Sequence, residues 1–351
     1  MKIIIDAMGG DNAPLAPVMG AIQAHKEYGV DITLVGQGDA IWNVLKENGI
    51  QELPAGVEIV HASEIVEICD NPATAFREKK DSSLTVGLNL LKNGEGDAYI
   101  SAGSTGALLA AGTLLVKRIK GIRRAAMAPV VPVGNGGAVL IDCGANAECP
   151  PEYLMQFAYM GSYYAERVLQ RPQPKVGLLN IGAEPSKGTT LQTTVYPMLE
   201  EAGKAGRINF VGNVEAREAV EGAVDVIVCD GYSGNIFLKT MEGTALYLMK
   251  ELKTIFKSSL LTKVAAVLVA SGLKGLKKKM SSDEVGGTAL LGLSKPVIKA
   301  HGSSDAYAIK NAVRQAKSFI DSGIIDSITE NIDLMRVEPP LAKAEKSKTE
   351  E

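Results

Sequence analysis

The sequence predicts an α/β protein built on a doubly wound, mainly parallel sheet, and three observations predict it. Short apolar runs recur along the chain, most of them separated by segments long enough for a helix. Many of these runs are continuously apolar instead of alternating, the pattern of strands covered on both faces. Polar, glycine-rich segments follow the runs directly, where strand-to-helix turns belong.

In chain order the runs are KIIIDAM from Lys2, DITLVG from Asp31, VEIVHA from Val57, DAYIS from Asp97 and GAVLIDC from Gly137. KVGLLNIG from Lys175, INFVGN from Ile208, VDVIVCD from Val224 and PVIKAHG from Pro296 complete the set. The turns are DAMGGDNAP, SAGSTG, DCGANAE, NIGAEPSKG, CDGYSGN and AHGSSDA. Gly, Asn, Asp and Ser are what any tight turn requires, so each turn alone has a purely structural explanation. Six of them converging on one sheet edge read as a binding cleft, because ligands of open α/β sheets bind beyond the carboxyl ends of the strands.

The 351 residues suit one large α/β domain, expected over residues 1–336, with a helical protrusion at about 240–282. The last stretch, VEPPLAKAEKSKTEE at 337–351, loses apolar periodicity and reads as a disordered, solvated tail. A formal net charge of −3 argues against nucleic acid as a partner. Three histidines and four scattered cysteines without a CxxC pair argue against a metal site. The chain opens directly on the strand KIIIDAM without a charged-then-apolar leader, so a cytoplasmic location is expected. No full GxGxxG is present, and SKGT at 186–189 reverses the order a P-loop requires, so no nucleotide cofactor is expected.

A smaller anion fits better. Gly103, Ser104, Thr105 and Gly106 open a helix, where unpaired backbone N–H groups and the dipole favour negative charge. Ser186 and Lys187 in EPSKGT, and Lys239 in SGNIFLKT, add a hydroxyl and two cations, Lys239 reading as a helix-surface residue. His301 and Ser303 stand at a strand end, while Ser304 and Asp305 suit capping of the helix that follows. Asp11, Asn12, Asn146, Asn180 and Asn235 complete the polar set as substrate-orienting or loop-bracing groups.

Two surface features stand apart. Lys117, Arg118, Lys120, Arg123 and Arg124 in KRIKGIRR form a basic cluster, and LKGLKKKM forms another. Within residues 258–280, Leu261, Val264 and Leu268 share a helical face, and Lys274, Lys277 and Lys278 supply charge. The run is too short to span a bilayer, so it reads as a helix lying on a membrane surface or packing against a partner subunit.

The ordered motifs IDAMGGDNAP, ISAGSTGALLAAG, LIDCGANAE, LLNIGAEPSKG, VCDGYSGNIFLK and PVIKAHGSSDA resemble the bacterial phosphate acyltransferase family of phospholipid synthesis, PlsX, from Met1 to about Asp321. The resemblance implies transfer of a fatty acyl group from acyl carrier protein to inorganic phosphate, giving an acyl phosphate for a membrane acyltransferase. It also implies a homodimer with a fold like the isocitrate dehydrogenase and phosphotransacetylase group. On that basis GSTG cradles phosphate, His301 or Lys187 serves the leaving thiolate, and the basic cluster at 117–124 docks the acidic carrier. LKGLKKK is the second docking candidate, or a contact for anionic lipid. Where relatives commonly read YGGA, this chain has Val285 followed by Gly286, Gly287 and Thr288. The competing readings are a coenzyme A-dependent phosphate acyltransferase, a dehydrogenase of similar fold, and a membrane scaffold without catalysis. The first would want an adenosine pocket, the second a cluster of metal-binding aspartates, and the third leaves six polar turns without a purpose.

Overall fold

Each of the nine apolar runs forms a strand, and among the described residues three further short strands join them. The computed structural model describes residues 1–134, 136–280, 284 and 286–335, without the side chains of 277–280. The expected tail, Val285 and the side chains of Lys277 and Lys278 therefore lie outside the described residues.

The strands divide between two sheets, where the sequence had suggested one. The first has the order β3 (Val57–His61), β2 (Asp31–Gly36), β1 (Lys2–Asp6), β4 (Ala98–Ser101), β12 (Val297–Lys299), β11 (Thr288–Leu291) and β5 (Ala126–Ala128). Its neighbours pair in parallel from β3 through β12, and β11 runs antiparallel to both β12 and β5. The second has the order β6 (Val130–Val131), β7 (Ala138–Ile141), β10 (Val226–Val228), β8 (Lys175–Asn180) and β9 (Asn209–Glu215), parallel except for β6. The three strands without a sequence signal, AMA, VV and TALL, are short, and all lie where one sheet gives way to the other.

Continuous apolar runs are explained by burial on both faces. Ile3 and Ile5 pack with Ile32, Leu34 and Ile100 in one core cluster, whereas Ile4 points the other way onto Tyr99, Leu88 and Val35. Alternate residues of a strand point to opposite faces, so a run of three isoleucines serves two layers. The two ends of the described chain are joined by helix Leu15–Tyr28 packing on helix Ala306–Asp321. Gly20 permits that contact: a Cβ there would stand 2.6 Å from both Ala306 O and Ile309 Cβ.

Helix Gly231–Lys257 leaves the second sheet and is followed by Leu260–Met280, which folds back along it. Both carry exposed apolar side chains, among them Leu246, Tyr247, Leu260, Leu261, Val264 and Leu268, the last at 79% exposure. Lys274 on the second helix is also exposed. Among the described residues no helix is long and apolar enough to cross a membrane.

Candidate functional site

The ends of β4, β5, β7 and β12, together with helix Gly231–Lys257, enclose a cavity of about 460 Å³ between the sheets. Its lining divides by chemistry. Thr105, Asn235, Lys239, Lys299, His301 and Ser304 are polar or cationic, and Pro129, Val130, Val131, Leu238, Met241 and Ala245 are apolar. Such a lining accepts a ligand with an anionic head and an aliphatic body.

The glycine-rich loop after β4 is held from below. Asp6 accepts a hydrogen bond from Ser101 Oγ at 2.7 Å, and Ser101 Oγ accepts from the Gly103 amide at 3.0 Å. Ser104 caps helix Thr105–Ala111 by accepting from the Ala107 amide. Two amides of the loop are thus spent on local order, and the Thr105 and Gly106 amides stand in the first helical turn, where no intrahelical acceptor exists. Thr105 reaches the cavity, while a Cβ on Gly106 would meet Pro72 at 2.9 Å.

The β12 turn is braced by the amino-terminal loop. The Asp11 amide donates to Gly302 O, and Asn12 Nδ2 donates to Ser303 O and Ser304 O. Asp305 caps helix Ala306–Asp321. His301 Nδ1 accepts from the Ser303 amide at 3.2 Å and lies 2.8 Å from Ser303 Oγ. With Nδ1 an acceptor, the neutral ring carries its proton on Nε2. Asn12 and Ser303 therefore act on the shape of the turn, and His301 lines the cavity.

A carboxylate with no role in the sequence reading ties the two sheets together. Asp142, fully buried at the end of β7, accepts from the Met127 amide of β5 and from the amides of Cys143, Ala145 and Asn146. Burial raises its pKa, and these donors pull the other way. The Asn146 side chain is spent on Asp142 and Ala125 O, so it holds the junction and does not line the cavity. Cys143 does line it, but burial pushes its thiol well above the ordinary range, so it offers no thiolate.

The β8 turn stands elsewhere. Asn180 accepts from the Ile181 amide and donates to Lys187 O, and Ser186 and Lys187 are exposed outside the cavity lining. Sequence reasoning brought Lys187 to the site, whereas the structure brings Lys239 and Lys299. Lys239 pairs with Glu242 at 2.8 Å, and both line the cavity. Lys299 is 7% exposed on β12, and its signal was present in PVIKAHG: a lysine inside an apolar strand that ends at a polar turn. Among the described residues no group of three or more His, Cys, Asp or Glu is placed to hold a metal.

The basic cluster lies on the segment leading into β5. Lys117, Arg118, Lys120, Arg123 and Arg124 are all exposed, while Ile119 and Ile122 anchor the segment in the core. Arg124 lies over the Tyr153 ring at 6.0 Å.

The two-sheet α/β fold is shared with phosphotransacetylases. The structure is similar to a phosphotransacetylase from Streptococcus pyogenes with a TM-score of 0.59 and 17% identity, covering 91% of this chain and 94% of that one. It is also similar to a putative 4-hydroxythreonine-4-phosphate dehydrogenase from Salmonella typhimurium, at a TM-score of 0.52 and 12% identity, over 91% of this chain and 98% of that one. At those identities the likeness concerns the fold alone.

Sequence relationships are closer. A family model described as "Fatty acid synthesis protein" matches residues 1–327. A protein named phosphate acyltransferase from Alkaliphilus oremlandii is 49% identical over 332 residues, covering 95% of this chain and 97% of that protein. Another of that name, from Thermoanaerobacterium thermosaccharolyticum, is 46% identical over 335 residues, covering 95% and 98%. The chain belongs to this phosphate acyltransferase family, PlsX, and is an acyltransferase.

Proposed function

We propose that the protein moves a fatty acyl group from acyl carrier protein to inorganic phosphate, giving an acyl phosphate. The observation that carries this reading is one cavity between the sheets lined on one hand by Thr105, Lys299 and His301 and on the other by Val131, Leu238 and Met241. A phosphate and the end of an acyl chain fit such a lining together.

A phosphate oxygen attacks the thioester carbonyl carbon, the carbonyl becomes an oxyanion, and the carbon–sulfur bond breaks as the tetrahedral intermediate collapses. Phosphate is already anionic near neutral pH, so the protein's work is to hold two reactants and stabilise developing charge. The Thr105 hydroxyl and the amides of Thr105 and Gly106 supply donors at the loop after β4. His301 Nε2–H donates a hydrogen bond that stabilises the departing thiolate, the role assigned to it over Lys187 because His301 lines the cavity. The raised thiol of Cys143 favours direct attack over an acyl-enzyme on that residue.

The five exposed cations at 117–124 suit docking of an acidic carrier, since they lie on the segment that enters β5 and the cavity wall. The exposed apolar side chains at Leu261, Val264 and Leu268, with Lys274 beside them, suit contact with an anionic membrane surface, where a membrane acyltransferase would take the product. A homodimer, a cytoplasmic location with peripheral membrane contact, and the absence of a cofactor belong to the same reading.

Purified protein mixed with palmitoyl-carrier protein and labelled inorganic phosphate tests it. Phosphate-dependent acyl phosphate, trapped by hydroxylamine, is expected. Product from acyl-coenzyme A but not from the carrier would transfer the reading to a coenzyme A enzyme, and product from neither would end it.

A further inference from the structure

Resting on the reading above, we propose that Lys299 is the anion-binding residue of the cavity. Its ammonium, anchored on two main-chain carbonyls, presents its third N–H to a phosphate-sized oxyanion held between Lys299 and Lys239.

The geometry is that of a charge built into the fold. An ammonium has three N–H donors. Lys299 Nζ donates one to Ala102 O at 3.2 Å and one to Ala300 O, the carbonyls at the ends of β4 and β12. One donor is left, on a side chain that lines the cavity. Among the described residues no carboxylate comes within 4 Å of this ammonium, so it is not one half of a structural ion pair. A buried, unpaired cation is costly to a fold, and its place in an otherwise apolar strand calls for a ligand.

The charges around it complete the picture. Asp6 and Asp11 act on Lys299 from the amino-terminal loop, but Asp6 is committed to Ser101 and the Met8 amide. Lys239, on the helix that leaves the other sheet, acts on it with like sign, and Glu242 occupies one of the Lys239 donors. His301 stands two residues beyond Lys299, in the turn that follows β12. Two lysines, one on β12 and one on the helix that leaves the other sheet, repel across a cavity, and an anion between them converts that repulsion into two attractions. Burial, the largest influence, holds the Lys299 pKa down at about 8. The cation is therefore in the majority at neutral pH and is lost as pH rises through about 8.

Calorimetric titration with inorganic phosphate, without any acyl donor, measures this directly. Lys299→Met is expected to weaken phosphate binding by about 10- to 100-fold, the worth of one charge-assisted hydrogen bond. Sulfate, an anion of fixed charge, is the second probe: its affinity for the unaltered protein falls as pH rises from 7 to 9.5, and in Lys299→Met that fall disappears. The sulfate profile of the unaltered protein carries the test if the variant does not fold. Unchanged phosphate affinity in Lys299→Met, a flat sulfate profile in the unaltered protein, or no phosphate binding at all overturns the proposal. Lys299-dependent binding without acyl phosphate formation would keep the anion site and end the acyl-transfer reading. Acyl phosphate formation with an unchanged phosphate KM in Lys299→Met would do the reverse.

Discussion

The turn after β4, SAGSTG, and the turn after β8, NIGAEPSKG, are both rich in glycine, alanine and serine, yet they end in different surroundings. The β4 turn is tied through Ser101 to Asp6 beneath it and brings Thr105 to the cavity. In the β8 turn Asn180 is spent on Ile181 N and Lys187 O, Asn213 reaches Glu184 O, and Gly188 takes a positive φ of 98°. Its carbonyls are met from within the turn and from Asn213, and its Ser186 and Lys187 side chains stay exposed. Composition marks a strand-end turn, and the strand order decides which turns meet.

The comparison can be broken at four places, from the largest expected effect to the smallest. Asp142 registers β5 of one sheet against β7 of the other, which nothing at the β8 turn does. Asn there turns an NH2 group toward amides that need an acceptor, so Asp142→Asn is expected to lose about 3 kcal/mol of stability, read by urea unfolding. A loss below about 1 kcal/mol would mean the junction is held by packing alone.

His301→Ala should lower kcat by about 100-fold while moving the phosphate KM far less, if its Nε2–H stabilises the departing thiolate. An equal rise in KM with kcat unchanged would recast His301 as a binding group. Charge reversal at Arg123 and Arg124 should raise the KM for acyl carrier protein by about 10-fold and leave that for phosphate unchanged, an effect that weakens with salt. Equal changes in both constants would remove the docking assignment.

Lys187→Ala is expected to have the smallest effect, within about 3-fold on kcat/KM, because the side chain is exposed outside the cavity lining. An effect as large as that of His301→Ala would show that the β8 turn joins the reaction.

Much of the fold was legible because burial on two faces writes itself into continuous apolar runs: IIID, ITLV and AVLI each stand in a strand. The division into two sheets was not, since a parallel strand reads the same in either and pairing order leaves no local trace. The two- to four-residue strands β5, β6 and β11 carry too few residues for a period. At the site, Thr105 and His301 were legible as polar residues at strand ends. Asn12, Asn146 and Asn180 were legible as turn residues, but which carbonyl each would satisfy depends on long-range packing. Lys239 read as a surface residue because its helix, taken alone, gives no reason for that face to close a cavity. Lys299 was visible as a misfit and needed the cavity to explain it.

Initial rates measured while acyl-carrier protein and phosphate are both varied test the central claim, that one cavity holds both reactants and joins them directly. Double-reciprocal lines that intersect are predicted, since both substrates must be bound before the acyl group moves. Parallel lines, with carrier released before phosphate enters, would mean a covalent acyl-enzyme and would contradict the account.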